Sequence, residues 1–241
     1  MKLSTLSSKL KLLSVNSNAK TSKSSDLFPD TLTAILYLSP HKLAGYGNVC
    51  SHATDGCVQT CLYTAGRGKF STVQQARIRK TKLFFEDNAQ FKTDLSNDIA
   101  MFNKYCSDNK LTGYVRLNGT SDIDWQKIKI TGKTVYELFP SIHFYDYTKD
   151  IKRKSKFDNY HLTFSYNEKV TITEVKNKLK ENVNVAVVFD EVPSIWKGLK
   201  VVNGDLSDLR PKDETNVIVG LKAKGLARTI KTDFVIKTLN I

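Results

Sequence analysis

Short apolar runs that each close on a cluster of polar residues recur along this chain, and no other feature constrains its fold as strongly. The first run is residues 34–38 (AILYL). Tyr114-Val115-Arg116-Leu117 leads into Asn118-Gly119-Thr120-Ser121-Asp122, Ile142-His143-Phe144 into Tyr145-Asp146-Tyr147-Thr148-Lys149, and Leu162-Thr163-Phe164 into Ser165-Tyr166-Asn167. Residues 185–189 (VAVVF), closed by Asp190 and Glu191, form the most apolar run, and 200–203 and 217–221 complete a set of about seven. A run that is apolar at nearly every position suits a strand buried on both faces. Helical patterns separate several of the runs, so the alternation predicts an α/β fold: a partial, open (β/α) barrel of about six to seven mainly parallel strands. In such sheets ligands collect beyond the carboxyl ends of the strands, and the polar closures therefore predict one shared site.

The helices are legible too. Ser71-Thr72-Val73-Gln74 has the S-x-x-Q form of a capping box and predicts a helix start. Phe84, Asn88, Phe91, Leu95, Ile99, Phe102 and Cys106 follow steps of three and four, a buried stripe interrupted only beside Asp87 and Asn88, which allows for two helices. Cys106 belongs to that stripe and is expected to be a core thiol. Residues 173–180 predict a further helix. Residues 14–25 carry few apolar side chains and read as a connector, so the expected organisation is a partly flexible N-terminal extension, 1–26, and one barrel-like domain, 27–241.

Between the first run and the first long helix lies NVCSHATDGCVQTCLYTAGRGK, residues 48–69, which holds Cys50, Cys57 and Cys61 in the spacing C-x6-C-x3-C. Three thiolates can hold three irons of a [4Fe–4S] cluster and leave the fourth open; a structural zinc site wants four ligands and would recruit His52 or His41. A disulfide with one thiol left over is the third alternative, though the chain starts without a secretory signal and disulfides are rare in the cytosol. Arg116, next to the end of its run, needs a carboxylate partner if buried, and Asp122, Asp146 and Asp205 are the expected ones.

The formal charge of +13 in 241 residues, with ten tyrosines, opens a second function class, a basic nucleic-acid-binding module with a structural zinc in the cysteine loop. No apolar run approaches the ~20 residues that span a bilayer, so no membrane partner is expected. GRGK at 66–69 lacks phosphate-loop spacing, no G-x-G-x-x-G follows a strand, and neither G-x-S-x-G nor H-E-x-x-H occurs, which leaves nucleotide-phosphate, hydrolase-triad and zincin chemistry without an anchor.

The blocks YLSP (37–40), the cysteine loop, RLNGTSD (116–122), FYDYTK (144–149), LTFSYN (162–167), NVAVVF (184–189), NGD with DLR (203–210) and GLKAKG (220–225) together resemble the bacteriophage gene product 88 domain family. The resemblance implies a virus-encoded protein working in the cytoplasm of a host bacterium. A second similarity is to the radical S-adenosylmethionine (SAM) enzymes, whose three-cysteine loop, spaced C-x3-C-x2-C, follows the first strand of a partial (β/α) barrel. That similarity implies a [4Fe–4S] cluster on Cys50, Cys57 and Cys61, an open iron for SAM, redox or SAM-linked activity, and cofactor-holding residues at the strand tips: Asn118, Ser121, Asp122, Tyr145, Asp146 and Lys149.

Overall fold

Each of the seven runs is a strand in the computed structural model, which describes residues 1–15 and 19–238. The chain is a mixed α/β protein built on one open, mostly parallel sheet of ten strands. In chain order these are β1 (Leu13–Val15), β2 (Thr31–Leu36), β3 (Thr112–Arg116), β4 (His143–Thr148), β5 (Tyr160–Ser165), β6 (Val185–Phe189), β7 (Ile195–Trp196), β8 (Leu199–Asn203), β9 (Ile218–Lys222) and β10 (Val235–Ile236). Their spatial order is β1-β2-β3-β4-β5-β6-β9-β8-β7, with β10 on β6. Among the described strands, only the end pairs, β1 with β2 and β7 with β8, are antiparallel. β5 and β10 both pair with β6, β5 against Val185 and Ala186 and β10 against Val188 and Phe189.

Strand register sorts the side chains onto two unlike faces. Val115 lies beside Phe144, Phe144 beside Tyr160, and Thr148 beside Phe164, so these residues share one face. Against it packs α5 (Asn88–Asp108), whose Phe91, Leu95, Ile99, Phe102 and Cys106 are all buried in the main apolar cluster. α7 (Ile172–Lys180), opened by a complete capping box of Thr171 and Glu174, buries Val175 and Leu179 in a second cluster with Val187 and Phe189. The opposite face carries Tyr114, Arg116, Tyr145, Tyr147, Thr163 and Ser165, and Leu209 and Phe28 pack against its two central tyrosines.

Two expectations change and one is met. α4 (Ser71–Glu86) starts at Ser71, but no side chain caps it, because Gln74 reaches back to the Gly68 carbonyl at 3.2 Å instead. The stripe does divide, with Asp87 accepting the Gln90 amide at 3.0 Å to start α5. The supposed connector is structured where it is described: Ser14 and Val15 belong to β1, and 19–27 form α2 (Ala19–Leu27). Residues 16–18 lie outside the described residues. α1 (Leu3–Lys9) buries Leu6 in the main cluster, and Asp98 of α5 accepts the amides of Lys11, Leu12 and Leu13 at 3.1, 2.7 and 2.9 Å, which seats β1 at the sheet edge.

Candidate functional site

The cysteine loop leaves the tip of β2 and is tied down at both ends. Cys50 receives the His41 amide on Sγ at 3.4 Å and points its thiol at the Thr120 carbonyl, 3.7 Å away, beyond the end of β3. Thr54 caps the short α3 (Asp55–Gln59), accepting the Cys57 amide at 3.3 Å. Glu168, just past β5, holds that cap by accepting from the Thr54 hydroxyl at 2.8 Å and from the Gly56 amide at 3.1 Å. The approach is close enough to need glycine, since a Cβ on Gly56 would stand 2.9 Å from both Glu168 Oε1 and Phe234 Cβ. Cys61 then precedes two tight turns, the second followed by α4.

All three loop cysteines are free and partly buried. Burial pushes the Cys50 thiol up to about 12, with the His41 amide pulling the other way and the neighbouring Cys61 and Cys57 adding to the rise. Cys57 and Cys61 are also raised, by burial first; Lys149 opposes the rise at Cys57, and the Tyr63 amide, Arg77 and Lys149 oppose it at Cys61. The thiols therefore feel one another's charge and are protonated at neutral pH in the metal-free protein, so a metal must displace their protons to bind. Among the described residues, no three His, Cys, Asp or Glu side chains already converge as ligands of a metal ion.

Two cations lie near the loop, one just past a strand of the sheet and one on α4. Lys149, just past β4, donates from Nζ to Ser165 Oγ at 2.9 Å and to the Tyr166 carbonyl at 3.3 Å, and stands 4.6 Å from the centroid of the Phe234 ring. Burial lowers its pKa, against the pull of Cys57, Asp122 and Glu168. Arg77 of α4 lies over the Tyr37 ring, 4.7 Å from its centroid, and burial lowers its pKa as well. Beneath them Arg116 pairs with Asp208 at 3.1 Å. None of its three expected partners serves. Asp122 is held by Arg153 at 2.7 Å, Asp146 projects from the opposite face, and Asp205 accepts from the Lys222 amide and from Lys224.

Of the residues expected at the site, the structure brings Lys149 and Asp122 to the cysteines, the latter accepting the Lys149 amide at 2.9 Å. Asn118 and Ser121 brace the loop after β3: Asn118 Oδ1 accepts from the Ser121 hydroxyl, the Ile123 amide and the Trp125 indole. Tyr145 is fully buried on the polar face, its hydroxyl donating to Asp208 at 3.3 Å. Asp146 is fully buried on the helix-covered face, where it accepts the Asn118 amide at 2.6 Å and burial raises its pKa to about 7. Cys106 is buried at the far end of α5, beside Gly113 at the start of β3. A cavity of about 290 Å³ opens beside Cys50, lined by His52, Phe84, Phe85, Asp122, Asp150 and Arg153 among others.

Arg77, Glu168 and Arg153 were not anticipated. Arg77 had a signal: the stripe extended backwards from Phe84 by three and seven residues meets Thr81, which is fully buried and accepts the Ser39 amide at 2.8 Å, and then Arg77. A polar residue on a buried stripe asks what it serves.

A family model described as Gene product 88 matches residues 6–238. The chain belongs to the gene product 88 family. The match to this phage family takes in β1 and α2 together with the cysteine loop and every strand through β10. No curated protein and no solved structure matches this gene product 88 chain. Among the described residues, no helix is long and apolar enough to cross a membrane.

Proposed function

We propose that this gene product 88 protein is an iron–sulfur protein of the host cytoplasm, with Cys50, Cys57 and Cys61 holding a [4Fe–4S] cluster at the strand tips of a radical-SAM-like, partial (β/α) barrel. One observation carries the reading: three free thiols on the loop after the first parallel strand lie within electrostatic reach of one another and of two cations, over the tips of strands β2 to β6 that follow each other in space as in sequence.

The donor set fits such a group. Thiolates are its ligands, Lys149 and Arg77 offset their charge, and the His41 amide donates to one sulfur. A closed zinc site is supported less well, because His52 turns to Ser51 Oγ at 3.1 Å and towards Asp150 at 3.9 Å. When bound, the cluster supplies one-electron chemistry and an open iron able to take an amino acid-type ligand such as SAM. Asn118 and Ser121 serve by shaping the β3 loop, Asp122 by fixing the backbone at Lys149, and Lys149 by placing positive charge beside Cys57. The competing reading, a nucleic-acid module, draws on the exposed Arg67, Lys69 and Arg228 around the loop, and it requires affinity for single strands that falls steeply with salt.

Anaerobic reconstitution tests the proposal. It is expected to give ~4 Fe per chain and a broad absorbance near ~400 nm. Purified protein that holds zinc and takes up no iron would overturn it.

A further inference from the structure

The cavity of about 290 Å³ beside Cys50 takes its walls from distant stretches of the chain, and direct contacts tie those stretches together. The Phe85 ring at the end of α4 lies against Gly47, where an added Cβ would stand 2.7 Å from Phe85 Cε1. The Val49 carbonyl accepts the Asp122 amide at 2.7 Å, Asp122 pairs with Arg153 at 2.7 Å, and His52 Nε2 lies 3.9 Å from Asp150. Phe84 and Phe85, edge to face with centroids 5.1 Å apart, supply apolar lining, and Phe85 is 41% exposed.

The charges of this lining do not balance. Asp122, Asp124 and Asp150 stand against Lys127 and Arg153, an excess of one negative charge with His52 neutral, in a chain whose formal charge is +13. Arg153 directs both terminal nitrogens to Asp122, and Lys127 pairs with Asp124 at 3.2 Å. That leaves Asp150. Its Oδ1 accepts the Lys152 amide at 3.0 Å, and among the described residues no Lys or Arg pairs with it. Arg153 Nε, buried without a partner, is a donor that an oxygen of a bound molecule would satisfy.

We propose that this cavity binds a small organic ammonium ion, with its ammonium on the Asp150 carboxylate and its apolar part against Phe84 and Phe85. Aromatic rings attract a cation, and a carboxylate without a cationic partner fixes where the cation sits. An anion is disfavoured because both cations of the wall already hold carboxylates. The volume lies at the small end of ligand pockets, enough for one ring with a short chain. Binding here uses none of the loop thiols and does not rest on the cluster reading.

Calorimetric titration of the full chain with three probes of nearly one shape tests the proposal. They are phenylalaninol, a cation at neutral pH; hydrocinnamyl alcohol, which lacks the amine; and hydrocinnamate, an anion. The cation is expected to bind at least ~10 times more tightly than the neutral alcohol, and the anion not at all. Asp150→Asn, which keeps an oxygen for the Lys152 amide, should weaken the cation about tenfold and leave the neutral alcohol unchanged. Phe85→Ala should weaken both, and Glu191→Gln, which removes an exposed carboxylate outside the cavity, should change neither. No binding of the cation, equal binding of cation and alcohol, a preference for the anion, or undiminished cation binding in Asp150→Asn would each overturn the proposal. Iron content bears on the cluster reading alone, so the two readings fail separately.

Discussion

The two faces of the sheet treat charge in opposite ways. On the polar face Arg116 is buried but paired with Asp208, and Tyr145 completes the group. On the helix-covered face Asp146 has no cation in contact among the described residues; it accepts from the Asn118 amide and from the Tyr160 hydroxyl at 3.4 Å, and burial moves its pKa up towards neutrality. The cysteines divide along the same line. Cys50, Cys57 and Cys61 sit among cations, amides and carbonyls at the tips, whereas Cys106 lies among Phe102, Ile142 and Gly113. The difference teaches that the buried cation of the polar face is matched by a carboxylate, whereas the buried Asp146 of the helix-covered face is held by an amide and a hydroxyl.

Removing half of the buried pair gives the largest expected effect. Asp208→Ala strands the Arg116 guanidinium and should cost about 3–5 kcal/mol, read from chemical denaturation. A cost under about 1 kcal/mol would mean that water reaches Arg116 and that the polar face is not dry. The second effect depends on pH. Because the folded Asp146 pKa is raised from 3.8 to about 7, the folded state binds the extra proton between those values, so its contribution to stability is full below the lower value and is lost as pH rises through the upper one. Asp146→Asn keeps an acceptor for the Asn118 amide and should flatten the stability-against-pH curve between ~4 and ~7 by up to about 1.4 kcal/mol per pH unit. An unchanged slope would place the titrating group elsewhere. The smallest effects belong to the base of the helix side. A Cβ on Gly113 would meet Ile142 Cδ1 at 2.7 Å, Phe102 Cε1 at 3.1 Å and Cys106 Sγ at 3.2 Å, so Gly113→Ala should cost about 1–3 kcal/mol. Cys106→Ala should cost about 1 kcal/mol, and the double variant less than the sum, since the removed sulfur makes room for the added methyl. Strict additivity would show that the two sites do not share a space.

Legibility followed burial on both faces. The seven runs were readable because β2 to β6, β8 and β9 each bury a short apolar stretch within the sheet, and the α5 stripe was readable because Phe91, Leu95, Ile99, Phe102 and Cys106 are all core. β1, β7 and β10 are two or three residues long, too short to carry a period. α2 was hidden for another reason: it is held by hydroxyls, with Ser24 Oγ 2.9 Å from Ser207 Oγ and accepting the Asp208 amide at 2.9 Å, and no hydrophobic pattern reports such contacts. At the site, the cysteine spacing and the polar closure after β4 pointed to Lys149. Arg116 was seen to need a carboxylate, but choosing among aspartates took the alternation that sends Asp146 to the other face and the fold that brings 207–210 across Tyr145. Glu168 and Arg153 act on the loop through side chains distant in sequence, 112 to 114 residues for Glu168, which periodicity does not encode.

The central claim is that the tip cysteines and the core cysteine do different work, and iron per chain in two variants reconstituted side by side tests it most directly. Cys57→Ala should fall from ~4 Fe to background, since a cube left with two thiolates loses an anionic anchor that water or a carbonyl replaces poorly, while Cys106→Ala should keep its iron in full. Iron retained in Cys57→Ala, or lost in Cys106→Ala, would contradict the account.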